Sequence, residues 1–128
     1  MNLLIDTRPL LLFPSGDEAL PERVTEAIEG SSQTPLVSIV SAWEMAVKIG
    51  TGRLRLPYSP GDEFARILGE NGFELIEVGM GTLERAARLP SDHCDPFDRL
   101  LAAEALAQNA TVISSDGSFD RLGVPRLW

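Results

Sequence analysis

The chain is poor in the residues that make covalent staples, soft-metal sites and membrane spans. Its 128 residues include one cysteine, Cys94, and one histidine, His93. A lone cysteine excludes an internal disulfide and fits a reducing compartment. One His beside one Cys leaves a tetrahedral zinc site without its other ligands. A Ser-His-Asp triad is equally unsupported, because the only histidine lies in a polar loop and no nucleophile elbow is present. Long apolar runs are missing too: Leu10 to Phe13 and Leu36 to Val37 fall far short of the ~20 residues a membrane helix needs. Nor is a leader expected, since Met1-Asn2-Leu3-Leu4-Ile5-Asp6 already reads as a first buried strand with no basic segment before it. The expectation is a cytoplasmic protein with no membrane association.

Positive charge is also scarce. Eleven basic against nineteen acidic residues give a net charge of −8, a weak footprint for general phosphate-backbone binding. Acidity of this kind suits a basic protein partner, and a cluster of acids inverts its local sign once divalent ions occupy it. Composition does not choose between the two. What is present is the material of an ordinary core: 44% hydrophobic and 23% charged residues without a low-complexity tract. A single domain spanning residues 1–128 follows, long enough to bury roughly two thirds of the surface exposed by the unfolded chain.

Along the chain, strand-like and helix-like segments alternate. Leu3-Leu4-Ile5 is a short apolar run, the pattern of a strand buried on both faces. Pro21-Glu22-Arg23 opens a helix carrying Val24, Ala27 and Ile28 at helical spacing and stopped by Gly30. Pro35 to Ser38 is a strand candidate. From Ser41, the residues Ala42, Met45, Ala46 and Ile49 repeat every three or four positions up to Gly50, which predicts a helix of about three turns. Trp43 is read as core. A loop from Arg53 to Pro60 precedes a helix over Asp62 to Asn71, a strand over Phe73 to Val78 and a helix over Thr82 to Leu89. A further helix runs from Asp95-Pro96-Phe97-Asp98 to about Gln108, then Thr111 to Ser114 is a β-branched strand and Val124 to Leu127 an edge strand. Such alternation implies an α/β fold with a mainly parallel sheet and right-handed crossovers.

Asp6, Glu44, Asp98 and Asp116 come from four separate segments, each at or near a junction between strand and helix. Each has an ordinary explanation. Asp6 serves as the cap of whatever follows the first strand, Glu44 pairs with Lys48 four residues on, and Asp116-Gly117 is a common turn. Asp95-Pro96-Phe97-Asp98 follows the rules of a helix N-terminus, with Asp as the cap, Pro in the first turn and an acid near the positive end of the dipole. Their coincidence suggests more, because ligands of α/β sheets gather at the carboxyl ends of strands. Two bare carboxylates about 4 Å apart repel by roughly 4 kcal/mol at an effective dielectric of about 20, and a proton or a divalent ion relieves that repulsion. Oxygen ligands without nitrogen or sulfur favour Mg2+ or Mn2+. Spacing alone leaves the choice between local structure and a cation site open.

Taken together, the ordered blocks Met1-Asn2-Leu3-Leu4-Ile5-Asp6-Thr7, Ser38 to Glu44 with Ser41-Ala42-Trp43-Glu44, Gly52-Arg53-Leu54, Asp95-Pro96-Phe97-Asp98-Arg99-Leu100-Leu101, Ser115-Asp116 to Phe119 and Gly123-Val124-Pro125 to Trp128 resemble the PIN-domain ribonucleases, specifically the VapC-type toxins of bacterial toxin–antitoxin pairs. The likeness runs nearly end to end. It implies a three-layer fold in which Asp6, Glu44, Asp98 and Asp116 form one acidic, catalytic pocket for Mg2+ or Mn2+, supported by Asp95 and by Thr7 as the hydroxyl that orients the first Asp. It also implies metal-assisted endonucleolytic cleavage of RNA, a homodimer, and an antitoxin whose basic or apolar segment covers the groove. Arg8 departs from the family, whose corresponding residue in this subgroup is usually histidine. Arg8 and Arg99, with Arg53 and Arg55, are candidate RNA contacts. Two alternatives stand beside this reading: a scaffold left weak or inactive by Arg8, and a receiver-like Mg2+-binding module. The latter is expected to carry paired acids after the first strand and a lysine after a late strand, whereas here Asp6 stands alone and Lys48 is the only lysine.

Overall fold

Leu3, Leu4 and Ile5 are fully buried in strand β1 (Asn2–Ile5), although their side chains point to opposite faces. That arrangement needs a core on each side of the sheet. The computed structural model, which describes residues 2–13, 16–90 and 95–128, has both. His93 and Cys94 lie outside the described residues. Strand β1 is flanked by β2 (Leu36–Ser38) and β4 (Ala110–Ile113), with β3 (Glu74–Ile76) and β5 (Arg126–Leu127) at the edges. All pairings are parallel, in the order β3-β2-β1-β4-β5. This order differs from the 2-1-3-4-5 order of flavodoxin-like receiver folds, which removes the receiver alternative on topology.

Parallel strands need crossovers, and helices supply them on both faces. On one face, α1 (Thr7–Leu12), α2 (Glu22–Glu29), α3 (Ile39–Gly50) and α4 (Asp62–Glu70) bring Leu10, Val24, Ile28, Met45, Phe64 and Leu68 onto Leu3, Ile5, Val37 and Ile113. On the other, α6 (Pro96–Ala107) and α7 (Ser118–Arg121) bring Leu101, Ala102, Ala105 and Phe119 onto Leu4, Leu36, Ala110 and Val112. Each of the Val, Leu, Ile, Phe and Met side chains among these, fully removed from water, is worth roughly 1.5–3 kcal/mol. Helix α5 (Met80–Arg88) buries none of its residues and lies against α6. Among the described residues, no helix is long and apolar enough to cross a membrane.

The elements follow the sequence pattern closely, with two corrections in α3. It starts at Ile39, two residues before the expected Ser41, because the Ser38 hydroxyl accepts the Val40 N–H at 3.1 Å and caps the helix. Trp43 is not core: it is 63% exposed. Ala42 and Met45 face inward, and at ~100° per residue Trp43 turns out of that stripe and stands above Ile39, itself exposed. The Ser38 cap is testable. Ser38→Ala is expected to lower the unfolding free energy by about 1 kcal/mol, read as a lower urea midpoint with an unchanged m-value.

Candidate active site

Strand order reverses at β1, whose neighbours β2 and β4 are reached in opposite directions, and the crevice beyond such a reversal is where α/β sheets hold ligands. The register puts Ile5 level with Ile113. Asp6 and Ser114, the next residues, therefore emerge side by side. The Asp6 N–H donates to Ile113 O at 3.0 Å, and the Ser114 hydroxyl donates to Asp6 Oδ2 at 2.7 Å. The same hydroxyl accepts the Asp116 N–H at 3.0 Å. Asp116 in turn accepts the Ser118 N–H at 2.9 Å, which fixes its carboxylate at the start of α7.

The other two acids arrive on helices. Asp95 caps α6, accepting the N–H groups of Phe97 at 2.8 Å and Asp98 at 3.4 Å. That leaves Asp98 in the first turn, beside the positive end of the helix dipole. Glu44 rides on α3 and is held from two sides: the Thr7 hydroxyl donates to Oε1 at 2.9 Å, and Lys48 Nζ stands 2.7 Å from Oε2. Thr7 also donates its backbone N–H to Asp6 Oδ1 at 2.8 Å. It thus orients Asp6 through its backbone and Glu44 through its hydroxyl. One cavity of about 290 Å3 is lined by Asp6, Thr7, Arg8, Glu44, Lys48, Asp95, Asp98, Ser115 and Asp116.

The acids perturb one another. Burial, the hydrogen bond it shares with Asp116 and the charges of Asp6, Asp116 and Asp95 push the Asp98 carboxyl up to about 8. Burial raises Asp6 as well, opposed by the hydrogen bonds from Ser114 and Thr7 and reinforced by the charges of Glu44 and Asp116. Asp116 is lowered, chiefly by the Ser118 N–H. The crevice therefore holds a proton that a lone surface carboxylate would release. Among the described residues its possible ligand atoms are all oxygen, the chemistry that suits a hard divalent cation. Among the described residues no three such side chains stand ready to close on one ion: Asp98 and Asp116 are bonded to each other, and both Glu44 oxygens are engaged.

The basic candidates separate. Arg8 is exposed and lines the cavity. Arg99, expected as an RNA contact, turns away and donates to the carbonyls of Ala86 at 2.9 Å, Leu89 at 2.6 Å and Pro90 at 3.3 Å, closing the C-terminal end of α5. Arg53 donates to the Thr51 hydroxyl on an exposed turn, and neither it nor Arg55 lines the cavity. The residue that sequence reading passes over is Ser114, seen only as the end of a strand. Its signal, a hydroxyl two residues before Asp116, acquires meaning only once β4 is known to pair with β1. Lys48, which the i,i+4 spacing presents as a surface partner of Glu44, also lines the crevice.

The raised Asp98 carboxyl fixes a sign. Because the folded chain holds this proton up to about 8 and an unfolded Asp releases it near 3.9, the stabilisation from protonation is complete below the lower value and lost as pH rises through the upper one. Asp98→Asn abolishes that loss. In EDTA, the stability of the variant relative to the native chain is expected to grow between pH 5 and pH 8.5, as measured by urea denaturation at each pH.

The architecture is shared by known complexes. The chain superposes over 100% of its length, and 99% of the other chain, on a structure of VapBC2 from Rickettsia felis bound to a DNA fragment from their promoter, with a TM-score of 0.71 and 15% identity. VapBC-1 from nontypeable Haemophilus influenzae matches over 99% and 97% of the two chains, with a TM-score of 0.66 and 15% identity. A toxin-antitoxin complex from Klebsiella pneumoniae matches over 98% and 96%, with a TM-score of 0.63 and 18% identity. At such identities the likeness is one of fold. No curated protein sequence matches the chain significantly. The PIN domain family model matches residues 3–125, from within β1 to the residue before β5, so that β2, β3, β4, most of β1, the crevice at the strand-order reversal and all four acids fall inside the match: the chain belongs to the PIN domain family.

Proposed function

We propose that the chain is a Mg2+- or Mn2+-dependent endoribonuclease acting as the toxin of a toxin–antitoxin pair. The observation that supports this reading most is the meeting of Asp6, Glu44, Asp98 and Asp116, from four separate segments, in one crevice. In this proposal Asp6, Asp98 and Asp116 hold the ion, with Glu44 beside them. A bound divalent ion lowers the pKa of a water molecule and neutralises charge on the phosphoryl oxygens. The protein's own groups do the rest. Ser114 and Thr7 lock the Asp6 carboxylate between two donors, so that its rotamer is set before substrate arrives. Asp95 fixes the first turn of α6 and with it Asp98. Asp98, whose carboxyl is pushed up to about 8 and which shares a hydrogen bond with Asp116, would hold a cation as the carboxylate, its proton released to solvent. Without the ion, the concentrated negative charge repels a phosphodiester, so RNA binding as well as cleavage depends on metal. Arg8, at the rim, is the candidate contact to a substrate phosphate.

The partners in this proposal follow from two surfaces. The structural relatives are described as VapBC or toxin–antitoxin complexes, and a chain of net charge −8 suits an antitoxin with a basic segment over the acidic groove. An apolar groove of about 630 Å3 lies between α3 and the α5–α6 pair, lined by Ile39, Trp43, Leu83, Phe97 and Leu100 among others. With the exposed Met80 nearby in sequence to Leu83, it is the face on which a homodimer would close. A weak or inactive scaffold remains as a second reading because of Arg8, which lines the crevice where the resemblance expects histidine.

Cleavage of structured RNAs by the purified chain is expected with Mg2+ or Mn2+ and not with EDTA, while Asp6→Ala and Asp98→Asn fall to background; equal cleavage by all three proteins sinks the nuclease reading. Ser114→Ala is expected to retain cleavage at a rate roughly 10- to 100-fold lower, the usual cost of removing a group that orients a ligand. Arg8→His tests the scaffold reading, which predicts activity only in the variant. For assembly, Trp43→Glu and Leu83→Glu are expected to halve the mass seen by light scattering; an unchanged mass removes the apolar groove as the dimer face.

A further inference from the structure

We infer that the Lys48 ammonium stands where a second divalent ion would stand beside Glu44, so that the crevice takes one ion, on the side of Asp6, Asp98 and Asp116. This rests on the metal-dependent reading above and goes beyond it by fixing the number of ions. The crevice is electrostatically uneven. On one side Asp98 shares a hydrogen bond with Asp116 and feels the charge of Asp6; the cations that act on this trio are Arg121 and Arg126, through Asp116, and among the described residues neither lines the cavity. On the other, both oxygens of Glu44 are already satisfied, Oε1 by the Thr7 hydroxyl and Oε2 by Lys48 Nζ at 2.7 Å.

Glu44 and Lys48 share the i,i+4 spacing of two other ion pairs, but not their setting. Arg66 and Glu70 are 61% and 59% exposed, and Arg88 and Glu84 are 77% and 65% exposed, as surface pairs of small energetic value are. Lys48 and Glu44 are 39% and 16% exposed and line the cavity itself. The ammonium is thus held inside the crevice, between a carboxylate that neutralises it and the space a substrate phosphate would enter. Two-ion sites place their cations about 3.5–4 Å apart and share carboxylates between them. A second ion drawn to Glu44 would have to displace a resident positive charge from its own counter-ion, with the Arg8 guanidinium also on the rim. Lys48 is therefore a positioning residue: it fixes Glu44 and supplies one of the positive charges that two-ion enzymes take from metal.

The test counts ions. Mn2+ binding to the full chain is measured by equilibrium dialysis, with electron paramagnetic resonance to distinguish an isolated Mn2+ from a spin-coupled pair, for the native protein, Lys48→Met, Lys48→Gln and Lys48→Arg. The expected result is one ion per chain for the native protein and Lys48→Arg, and two, with a spin-coupled signal, for Lys48→Met and Lys48→Gln. Adding Glu44→Gln to Lys48→Met is expected to return the count to one. Two ions on the native chain overturn the inference whether or not any variant folds, and so does a single ion on a folded neutral variant. No Mn2+ on any of the proteins overturns instead the metal-dependent reading on which the inference stands.

Discussion

The register between β1 and β4 is the constraint on which the site depends. With Ile5 level with Ile113, Asp6 and Ser114 leave the sheet as neighbours, and one hydroxyl can bridge a carboxylate from the first strand to a backbone N–H from the fourth. A slip of one residue would turn every side chain of the strand to the other face. Leu3 and Ile5 fill one core and Leu4 the other, and a slip would draw the flanking Asn2 or Asp6 into a position now held by an apolar side chain. The hydrophobic effect thus sets the separation of polar atoms that do not themselves take part in it.

The crevice concentrates charge at a cost that the fold carries through hydrogen bonds. Four of the five acids are tied to donors: Asp6 by Thr7 and Ser114, Asp95 by the first turn of α6, Asp116 by α7, and Glu44 by Thr7 and Lys48. Asp98 has the fewest such supports and is the one driven to hold a proton. One of the three acids proposed to hold a cation is therefore the least favourably placed as a bare carboxylate, so that the cost of gathering the charge falls on the empty state.

Much of this was legible in the residues. Short apolar runs alternating with helical periods gave the parallel sheet, and the Asp95-Pro96 pair marked the start of α6 to the residue. Their place at strand–helix junctions suggested that the four acids meet, the family resemblance implied it, and all four line one cavity. What sequence could not supply were relations between distant segments. Trp43 looked like core because tryptophan usually is, yet the rotation of α3 is decided by Ala42 and Met45. Ser114 was silent until its strand had a neighbour. The direction of Arg99 depended on where the last carbonyls of α5 would end up, thirteen residues back at Ala86, and no local pattern encodes that.

Helix α5 has a consequence of its own. It buries no residue, and the guanidinium of Arg99 clasps its final turn from a position adjacent to Asp98. Such a segment belongs to the low end of a protein's range of local opening energies. Its amides would trade hydrogen for deuterium well before those of α6, so the molecule carries a loosely fastened outer shell around a slow-exchanging interior, with the fastening one peptide bond from the acid that holds the proton.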